Sequence, residues 1–200
     1  MRVILRDYRV DDDDTARAIY EASFPASLRA PWSALTDHRP DERLLVLADS
    51  DSDNDNHNDN DNDNSVAGIA LIRRLGDTGM AFVRYLAVDP ARRSEGLGSI
   101  LLDELRDVLR GDGIGVLLLD VEEPLGDHAQ DDRRRIAFYE RCGLSLLDAP
   151  GYAPPDHGAT GEIVPLLLMG EVIDGGNPLV GERLAAAVRA VLVHRYGVAD

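Results

Sequence analysis

The chain has 200 residues, 44% of them hydrophobic, and a formal net charge of -16 at pH 7. Its single cysteine, Cys142, excludes an internal disulfide and a cysteine-rich zinc site. The excess of acidic residues disfavours nucleic acid as a binding partner, because binding the phosphate backbone requires a broad basic face. No apolar run approaches the roughly 18 residues of a membrane span, and the charged start "MRVILRDYRVDDDD" is unlike a signal peptide. We therefore expect a soluble, cytoplasmic globular protein with no membrane partner.

The N-terminal half alternates strand-like and helical patterns. The predicted elements are a strand at residues 2–8, a helix over "DDDDTARAIYEASF" that Pro25 ends, a shorter helix at 28–36, and strands at 43–49 and 65–74.

A tract of Asp and Asn occupies residues 50–64, between two of these strands. It has almost no apolar residue to bury, so we expect a solvated loop. A calcium loop that starts at Asp49 is disfavoured, because Asn54 and Asn60 stand where an EF-hand needs glycine and glutamate.

The C-terminal half continues the mixture of strands and helices. The predicted elements are a strand at 80–90, a helix at 97–110, a strand at 114–123 that is buried on both faces, a helix at 131–143, and strands at 144–152 and 162–170. A last helix is predicted with Asn177 as its N-cap, Pro178 at its first position and Gly197 just past its end.

Two glycines stand directly before a leucine-rich helix in "PARRSEGLGSILLDEL". A helix start has unpaired N–H groups and a positive dipole end, so it can bind an anion, and glycine lets the anion approach the backbone. A nucleoside-triphosphate P-loop is excluded, because no lysine follows Gly98 and the chain contains none. A Rossmann dinucleotide-binding fingerprint is disfavoured, because it needs three glycines and only two are present here.

The segment "RRSEGLG" resembles the RxxGxG (or QxxGxG) signature of the GNAT superfamily of acyl-CoA-dependent N-acetyltransferases, with Arg93, Gly96 and Gly98 at the matching positions. "YLAVDPARR" resembles the strand that leads into that loop, and "RIAFYERCGL" resembles the second signature, FYxxxGF. The resemblance covers residues 2–170. It implies a mixed α/β fold, with a mostly antiparallel mixed sheet of about seven strands. The sheet would be flanked by helices and splayed at the coenzyme A site. Residues 1–170 would form the acetyltransferase domain, and residues 171–200 a C-terminal helical extension.

The resemblance also implies that the loop holds the pyrophosphate of acetyl-CoA, the co-substrate, through backbone N–H groups. The strands that end near Val88 and Val121 would splay to admit the pantetheine arm, and the N–H near Val88 would stabilise the oxyanion. No metal is expected. The residues expected to bind coenzyme A are Leu86, Ala87, Val88, Arg92, Arg93, Ser94, Glu95, Gly96, Leu97, Gly98 and Ser99.

Acyl transfer to an amine requires a base for the ammonium and a proton donor for the departing thiolate. The resemblance assigns the role of proton donor to Tyr139. The alternative interpretation of Tyr139 is an aromatic side chain that only packs in the core. The strand "FVRYLAV" lacks the carboxylate that family members often carry, so the base is sought at the end of the next strand. Asp120 and Glu122 share one face there, and Glu122 is favoured over Glu123. The resemblance makes Glu21 a further candidate for the base, because the first helical pair usually forms the acceptor wall in this family; its alternative is a surface carboxylate.

The acceptor is expected to contact segments 21–32, 122–130 and 147–161. His128 and His157 are expected in exposed loops, and Cys142 as a small buried group rather than a nucleophile. The individual acceptor contacts expected are Glu21, Phe24, Glu123 and Tyr152.

The sequence therefore predicts an N-acetyltransferase that moves an acetyl group from acetyl-CoA directly to a primary amine of a small molecule or peptide, as a monomer or homodimer. The alternatives are transfer of a different acyl group and a non-catalytic acyl-CoA-binding module. The missing carboxylate of "FVRYLAV" keeps the non-catalytic alternative open.

Overall fold

The computed structural model describes residues 3–37, 39–50, 65–155 and 165–199. Most of the Asp/Asn tract, and His157, lie outside the described residues. Within them the strands are β1 Val3–Asp7, β2 Glu42–Asp49, β3 Val66–Arg74, β4 Met80–Val88, β5 Val116–Glu122, β6 Ser145–Leu146 and β7 Leu166–Val172. The α-helices are α1 Asp13–Ser23, α2 Ser33–Thr36, α3 Leu97–Gly111, α4 Ala129–Arg141 and α5 Gly181–Ala190.

The strands form one sheet in the order β1-β2-β3-β4-β5-β7-β6. β1 is antiparallel to β2, and β7 is antiparallel to both β5 and β6, whereas β4 and β5 are parallel. The β4–β5 ladder joins Met80–Phe82 to Val116–Leu118, and the two strands continue to Val88 and Glu122. The predicted element order and the mixed, mostly antiparallel sheet with flanking helices are confirmed.

The chain divides into two compact units. Unit 1 comprises Met1–Ile72 and Tyr85–Leu105. Its core is built on the apolar stripe of α1 that the helical spacing predicts. The stripe packs against β2, β3 and the end of β4, and the buried contacts include Ala16, Ile19, Tyr20, Val46, Ile69, Leu71 and Ala87.

Unit 2 comprises Arg73–Arg84 and Arg106–Asp200. In its core, residues of β4, β5 and β7 pack against the C-terminal helix α5. The buried contacts include Phe82, Leu118, Leu168, Ala187, Ala190 and Val191.

Several predicted boundaries are wrong by a few residues, and three of these errors have a physical cause in the structure. The helix predicted at 28–36 shrinks to Ser33–Thr36, because Pro31 would lie inside it and clash with the preceding turn. The strand predicted at 144–152 is only Ser145–Leu146, because the chain turns at Ala149, whose carbonyl accepts from the Tyr152 N–H at 3.1 Å.

The third error concerns the start of the last helix. Its N-cap is Val180 rather than Asn177. The Asn177 carbonyl instead accepts a hydrogen bond from Arg183, and the Pro178 carbonyl accepts from the Val180 N–H at 3.0 Å. The helix then widens into a π-helical turn at Val191–Arg195, before Gly197 at φ 71°.

A buried ion pair fixes β1 to the start of α1. Arg6 donates two hydrogen bonds to Asp12, at 2.7 and 2.8 Å, and the Asp12 side chain is only 5% exposed. Burial acts to raise the pKa of Asp12, but Arg6 and the Arg9 N–H outweigh it and hold the pKa below its usual value.

The substitution Arg6→Met should lower the free energy of unfolding by about 3 kcal/mol at pH 7, because it leaves a buried carboxylate without its cation. Urea denaturation measures this loss. Folding lowers the pKa of Asp12, so the pair's contribution is present above the ordinary aspartate pKa of about 4 and disappears as the pH falls through the folded-state value. The difference between variant and wild type should therefore shrink on acidification.

The matched control is Arg17→Met, which removes an ion pair with Glu21 whose side chains are 54% and 45% exposed. This variant should leave the urea midpoint almost unchanged. Equal losses in the two variants would contradict the role assigned to burial.

Candidate active site

Residues 93–99 comprise the turn into α3 and the first residues of that helix, and we name them the cradle loop. Ser94 and Gly96 have left-handed φ values of 73° and 79°, which curl the chain. A Cβ on Gly96 would meet no atom within 4 Å, so the space over the main chain is open. The N–H groups of Ser99 and Ile100 donate to the Gly96 carbonyl at 3.1 and 3.2 Å, and the Glu95 N–H donates to the Arg92 carbonyl at 3.4 Å. At any helix start the first N–H groups lack acceptors within the helix. The dipole of a 15-residue helix adds to their attraction for an anion.

Charged side chains hold the cradle loop in place. Arg92 donates to both carboxylate oxygens of Asp49, at 2.8 and 3.2 Å, and to Glu95 at 3.3 Å. Asp49 raises the pKa of Arg92 above its usual value. The Asp89 carboxylate accepts from the Ala91 N–H at 2.9 Å. The Arg92 guanidinium thus fixes the conformation of the cradle loop. The Arg93 side chain, in contrast, is exposed.

The strand that leads into the cradle loop lies close to β3. Of the predicted residues, Ala87 is buried and Leu86 and Val88 are half-buried. A Cβ on Gly68 would lie 2.9 Å from the Ala87 carbonyl oxygen, so only glycine permits this approach. Gly68 was not among the predicted site residues, although a glycine inside a strand pattern is a usable signal.

Two predicted acceptor contacts, Glu21 on α1 and Phe24 just after it, differ in their surroundings. Glu21 is exposed and accepts from Arg17 at 2.9 Å. Phe24 packs on the rings of Tyr20 and Tyr85, with centroids 5.5 and 5.0 Å away. The Tyr85 hydroxyl accepts from the Ala30 N–H and donates to the Leu28 carbonyl, both at 3.1 Å, and so fixes the segment after α1. Tyr85 was also missed, because it looks like an ordinary strand residue.

Tyr139 lies on α4 in unit 2 and is 8% exposed. Burial raises its pKa to about 12, Arg135 acts to lower it, and the charge of Asp120 acts to raise it. The hydroxyl is therefore protonated at neutral pH, within electrostatic reach of a cation and a carboxylate.

Glu122, the predicted base, ends β5 and accepts from Arg135 at 3.0 Å. Arg135 also lies 3.6 Å from Asp132, a carboxylate that is 4% exposed. Burial, followed by the charge of Glu122, raises the pKa of Asp132. Glu123 is exposed, and its N–H donates to the Pro165 carbonyl at 2.8 Å.

Asp120 binds two tyrosines from distant parts of the chain. Tyr152 donates to Asp120 Oδ2 at 3.1 Å, and Tyr196 donates to the same oxygen. Burial and the charge of Asp120 raise the pKa of both phenols. Tyr152 was predicted as an acceptor contact. Tyr196 was not singled out, because it reads only as the end of a helical pattern.

The remaining candidates occupy the ends of α4. His128 is exposed just before the helix, and Cys142 follows it, with its carbonyl accepting from Arg106. In the described ranges, no group of three or more His, Cys, Asp or Glu side chains could hold a metal ion. No described helix is long and apolar enough to span a bilayer.

Unit 1 therefore contains the cradle loop, Leu86–Val88, Glu21 and Phe24, and unit 2 contains Glu122, Glu123, Tyr139 and Tyr152. Unit 2 brings Tyr139 and Tyr152 into interaction with Asp120.

Solved structures with the same fold include three acetyltransferases. A protein from Bacteroides thetaiotaomicron assigned to the GNAT acetyltransferase family has a TM-score of 0.70 at 20% identity, with 100% of both chains covered. The ribosomal-protein-S18-alanine N-acetyltransferase from Escherichia coli has a TM-score of 0.58 at 20% identity, covering 90% of this chain and 99% of that one. A chimeric spermidine N-acetyltransferase from Vibrio cholerae has a TM-score of 0.63 at 14% identity, covering 87% and 97%.

A search of curated protein sequences found no match. The sequence model of the Acetyltransferase (GNAT) family matches residues 13–144, which include the cradle loop and Tyr139. On this match, and with the fold described above, the chain belongs to the GNAT acetyltransferase family.

Proposed function

We propose that the protein is an N-acetyltransferase that transfers the acetyl group of acetyl-CoA directly to a primary amine of a small molecule or peptide. The cradle loop carries the proposal. A left-handed glycine in open space at the start of a long helix is suited to a diphosphate and has no evident use in packing.

The chemistry of the cradle loop suits the diphosphate of coenzyme A. The N–H groups of Gly96, Leu97 and Gly98 would bind the pyrophosphate oxygens, aided by the exposed Arg93 and the adjacent main chain of Ser94, Glu95 and Ser99. Arg92 would hold the loop through Asp49 rather than touch phosphate. Leu86, Ala87 and Val88 would hydrogen-bond to the pantetheine arm, and the Val88 N–H would stabilise the oxyanion.

Tyr139 would act on the departing sulfur. With a pKa of about 12 its phenol stays protonated, so it can donate to the thiolate that forms as the C–S bond breaks. The nearby Arg135 favours the negative charge that a proton-donating phenol develops.

The base would be a carboxylate at the end of β5. Glu122, the residue favoured from the sequence, is engaged with Arg135, and Asp120 shares its face of the strand. Glu21, Phe24, Glu123 and Tyr152 remain the predicted acceptor contacts.

Thiol release from acetyl-CoA, measured across a panel of primary amines with mass spectrometry of the products, tests the proposal. We expect release that depends on the amine, and an acetylated product. Running the panel with propionyl-CoA as well shows whether the acyl group is acetyl. Binding of acetyl-CoA without release on any amine would overturn the proposal in favour of a non-catalytic module.

The substitution Gly96→Ala should weaken acetyl-CoA binding about tenfold or more, because a Cβ enters the cradle and the left-handed backbone costs an L-residue about 1–2 kcal/mol. Isothermal titration calorimetry measures the affinity. Gly113→Ala is the control, since Gly113 also has a left-handed φ, 74°, with no atom near its Cβ position. It should lose similar stability but keep the wild-type affinity. Equal acetyl-CoA affinities in the two variants would contradict the proposed binding of the diphosphate by the cradle loop.

The substitution Tyr139→Phe should reduce kcat by about 10²-fold, because it removes the donor for the thiolate, while acetyl-CoA affinity stays near the wild-type value. Steady-state kinetics and calorimetry measure the two effects. Tyr8→Phe, which removes a phenol that donates to Asp13 at 2.6 Å, is the control and should retain kcat. An unchanged kcat in Tyr139→Phe would exclude the proton-donor role.

A further inference from the structure

We infer that the outer face of the C-terminal helix α5 is a self-association surface, on which a second copy of this chain packs with its own α5 antiparallel to the first. The inference goes beyond the proposed function and does not depend on it. The surface lies within unit 2 and beyond residues 13–144, so it is outside the part of the chain that matches the family.

An apolar groove of about 550 Å³ lies along this face of α5. The helix and its π-helical turn contribute Gly181, Ala185, Val188 and Leu192 to the lining. Residues 148–150, which follow β6, line the groove as well. The groove is therefore formed between the helix and the loop after the short strand at the edge of the sheet.

Helix α5 and the turn that continues it are apolar on two faces. Ala187, Ala190 and Val191 are buried in the core of unit 2. Ala185 is exposed and Leu192 is half-buried, and both lie at the groove. A surface helix normally has one apolar stripe, which faces the core, and a helix that is apolar further around is covered by another element. The second face of α5 therefore has the character of an interface.

Exposed hydrophobic side chains cluster beside the groove. Leu146, two residues before the loop that lines it, is 42% exposed, and Val180, directly before α5, is 67% exposed. Val198 lines the groove and is 36% exposed. Such clustering is typical of surfaces that bind another macromolecule.

The spacing of the lining residues fits a second helix. Gly181, Ala185, Val188 and Leu192 are separated by four, three and four positions, which is the spacing of the seam between two packed helices. All four line the same groove, so the structure brings them together on one face. Gly181 and Ala185 are small, and the distance between packed helices depends on the size of the side chains at the contact. A partner helix can therefore approach closely at this end of α5.

Charge favours a second copy of the chain as the source of that helix. Glu182 and Arg189 are exposed and lie seven residues apart, on the same side of the seam. In an antiparallel pair related by a two-fold axis, Glu182 of each copy lies beside Arg189 of the other, which gives two ion pairs. A parallel pair would place like charges side by side. Arg189 has five N–H donors, so it can bind the second copy and keep its contacts within its own chain.

Other occupants fit the groove less well. Its lining carries one acidic residue, Asp148, and one basic residue, Arg189, whereas the whole chain has a net charge of -16. Two copies can thus meet here without the repulsion expected over most of their surface, and an anionic membrane or polymer would find no basic face. A small molecule would be poorly enclosed, because Gly181 and Ala185 are exposed and ligand sites bury roughly 70–90% of the ligand surface.

Analytical ultracentrifugation of the full-length protein measures the dimer Kd and tests the inference. Twelve residues line the groove, fewer than the roughly 20–30 per side of a standard interface. We therefore expect a reversible dimer with a Kd on the order of 10 μM.

The substitution Ala185→Glu should weaken the dimer by about 30-fold or more, because it places like charges at the centre of the seam. The matched control is Ala186→Glu, at the neighbouring residue, which is exposed and does not line the groove. This variant should keep the wild-type Kd within about twofold. Thermal melting followed by circular dichroism shows whether each variant is folded.

Charge reversal tests the antiparallel pairing. Glu182→Arg and Arg189→Glu each create two like-charged pairs across the interface, and each should weaken the dimer about tenfold. The variant that carries both substitutions should recover the wild-type Kd within about threefold. Residues seven apart on one helix are not pairing neighbours, so this recovery would arise between copies. If Ala185→Glu is unstable, these variants carry the same test.

A wild type that remains a single chain at concentrations up to about 1 mM would overturn the inference, even if a small apolar dye binds in the groove. So would a dimer that Ala185→Glu and Ala186→Glu weaken equally, because its interface would lie elsewhere. Failure of the doubly reversed variant to recover would contradict the antiparallel arrangement. None of these outcomes depends on whether the protein acetylates an amine.

Discussion

The positive end of α3 is the constraint on which the proposed chemistry depends. A helix start carries N–H groups that the helix itself cannot satisfy, and a Cβ on Gly96, just before α3, would meet no atom within 4 Å. Gly96 makes this possible, because its left-handed backbone turns the main chain and its missing side chain leaves the approach open. The Arg92–Asp49 ion pair anchors the cradle loop to the end of β2, so a bound diphosphate would meet N–H donors whose positions are already fixed.

In unit 2 the proposed chemistry depends on where β5 ends. The strand is buried and apolar from Val116 to Leu119 and then presents Asp120 and Glu122. Glu122 accepts a hydrogen bond from Arg135, and Asp120 accepts hydrogen bonds from the phenols of Tyr152 and Tyr196.

The sequence predicted the features that depend on local pattern. The order of elements, the start of α3 at Leu97 and the apolar stripe of α1 all follow from periodicity and from turn residues. It could not predict contacts between residues far apart in the chain. Tyr196 meets Asp120 across 76 positions, and Tyr85 meets Ala30 across 55. The late start of α5 at Gly181 was missed for a similar reason, since the capping signal of Asn177 and Pro178 was overridden by the contact between Arg183 and the Asn177 carbonyl.

The proposed function requires that main-chain amides at the start of α3 bind a diphosphate. Amide nuclear magnetic resonance of the full-length protein, titrated with coenzyme A and in parallel with pantetheine, which lacks the diphosphate, measures this most directly. The account predicts that the signals of Gly96, Leu97 and Gly98 shift strongly and saturably with coenzyme A and hardly at all with pantetheine. Binding of coenzyme A that leaves these three signals in place would contradict it.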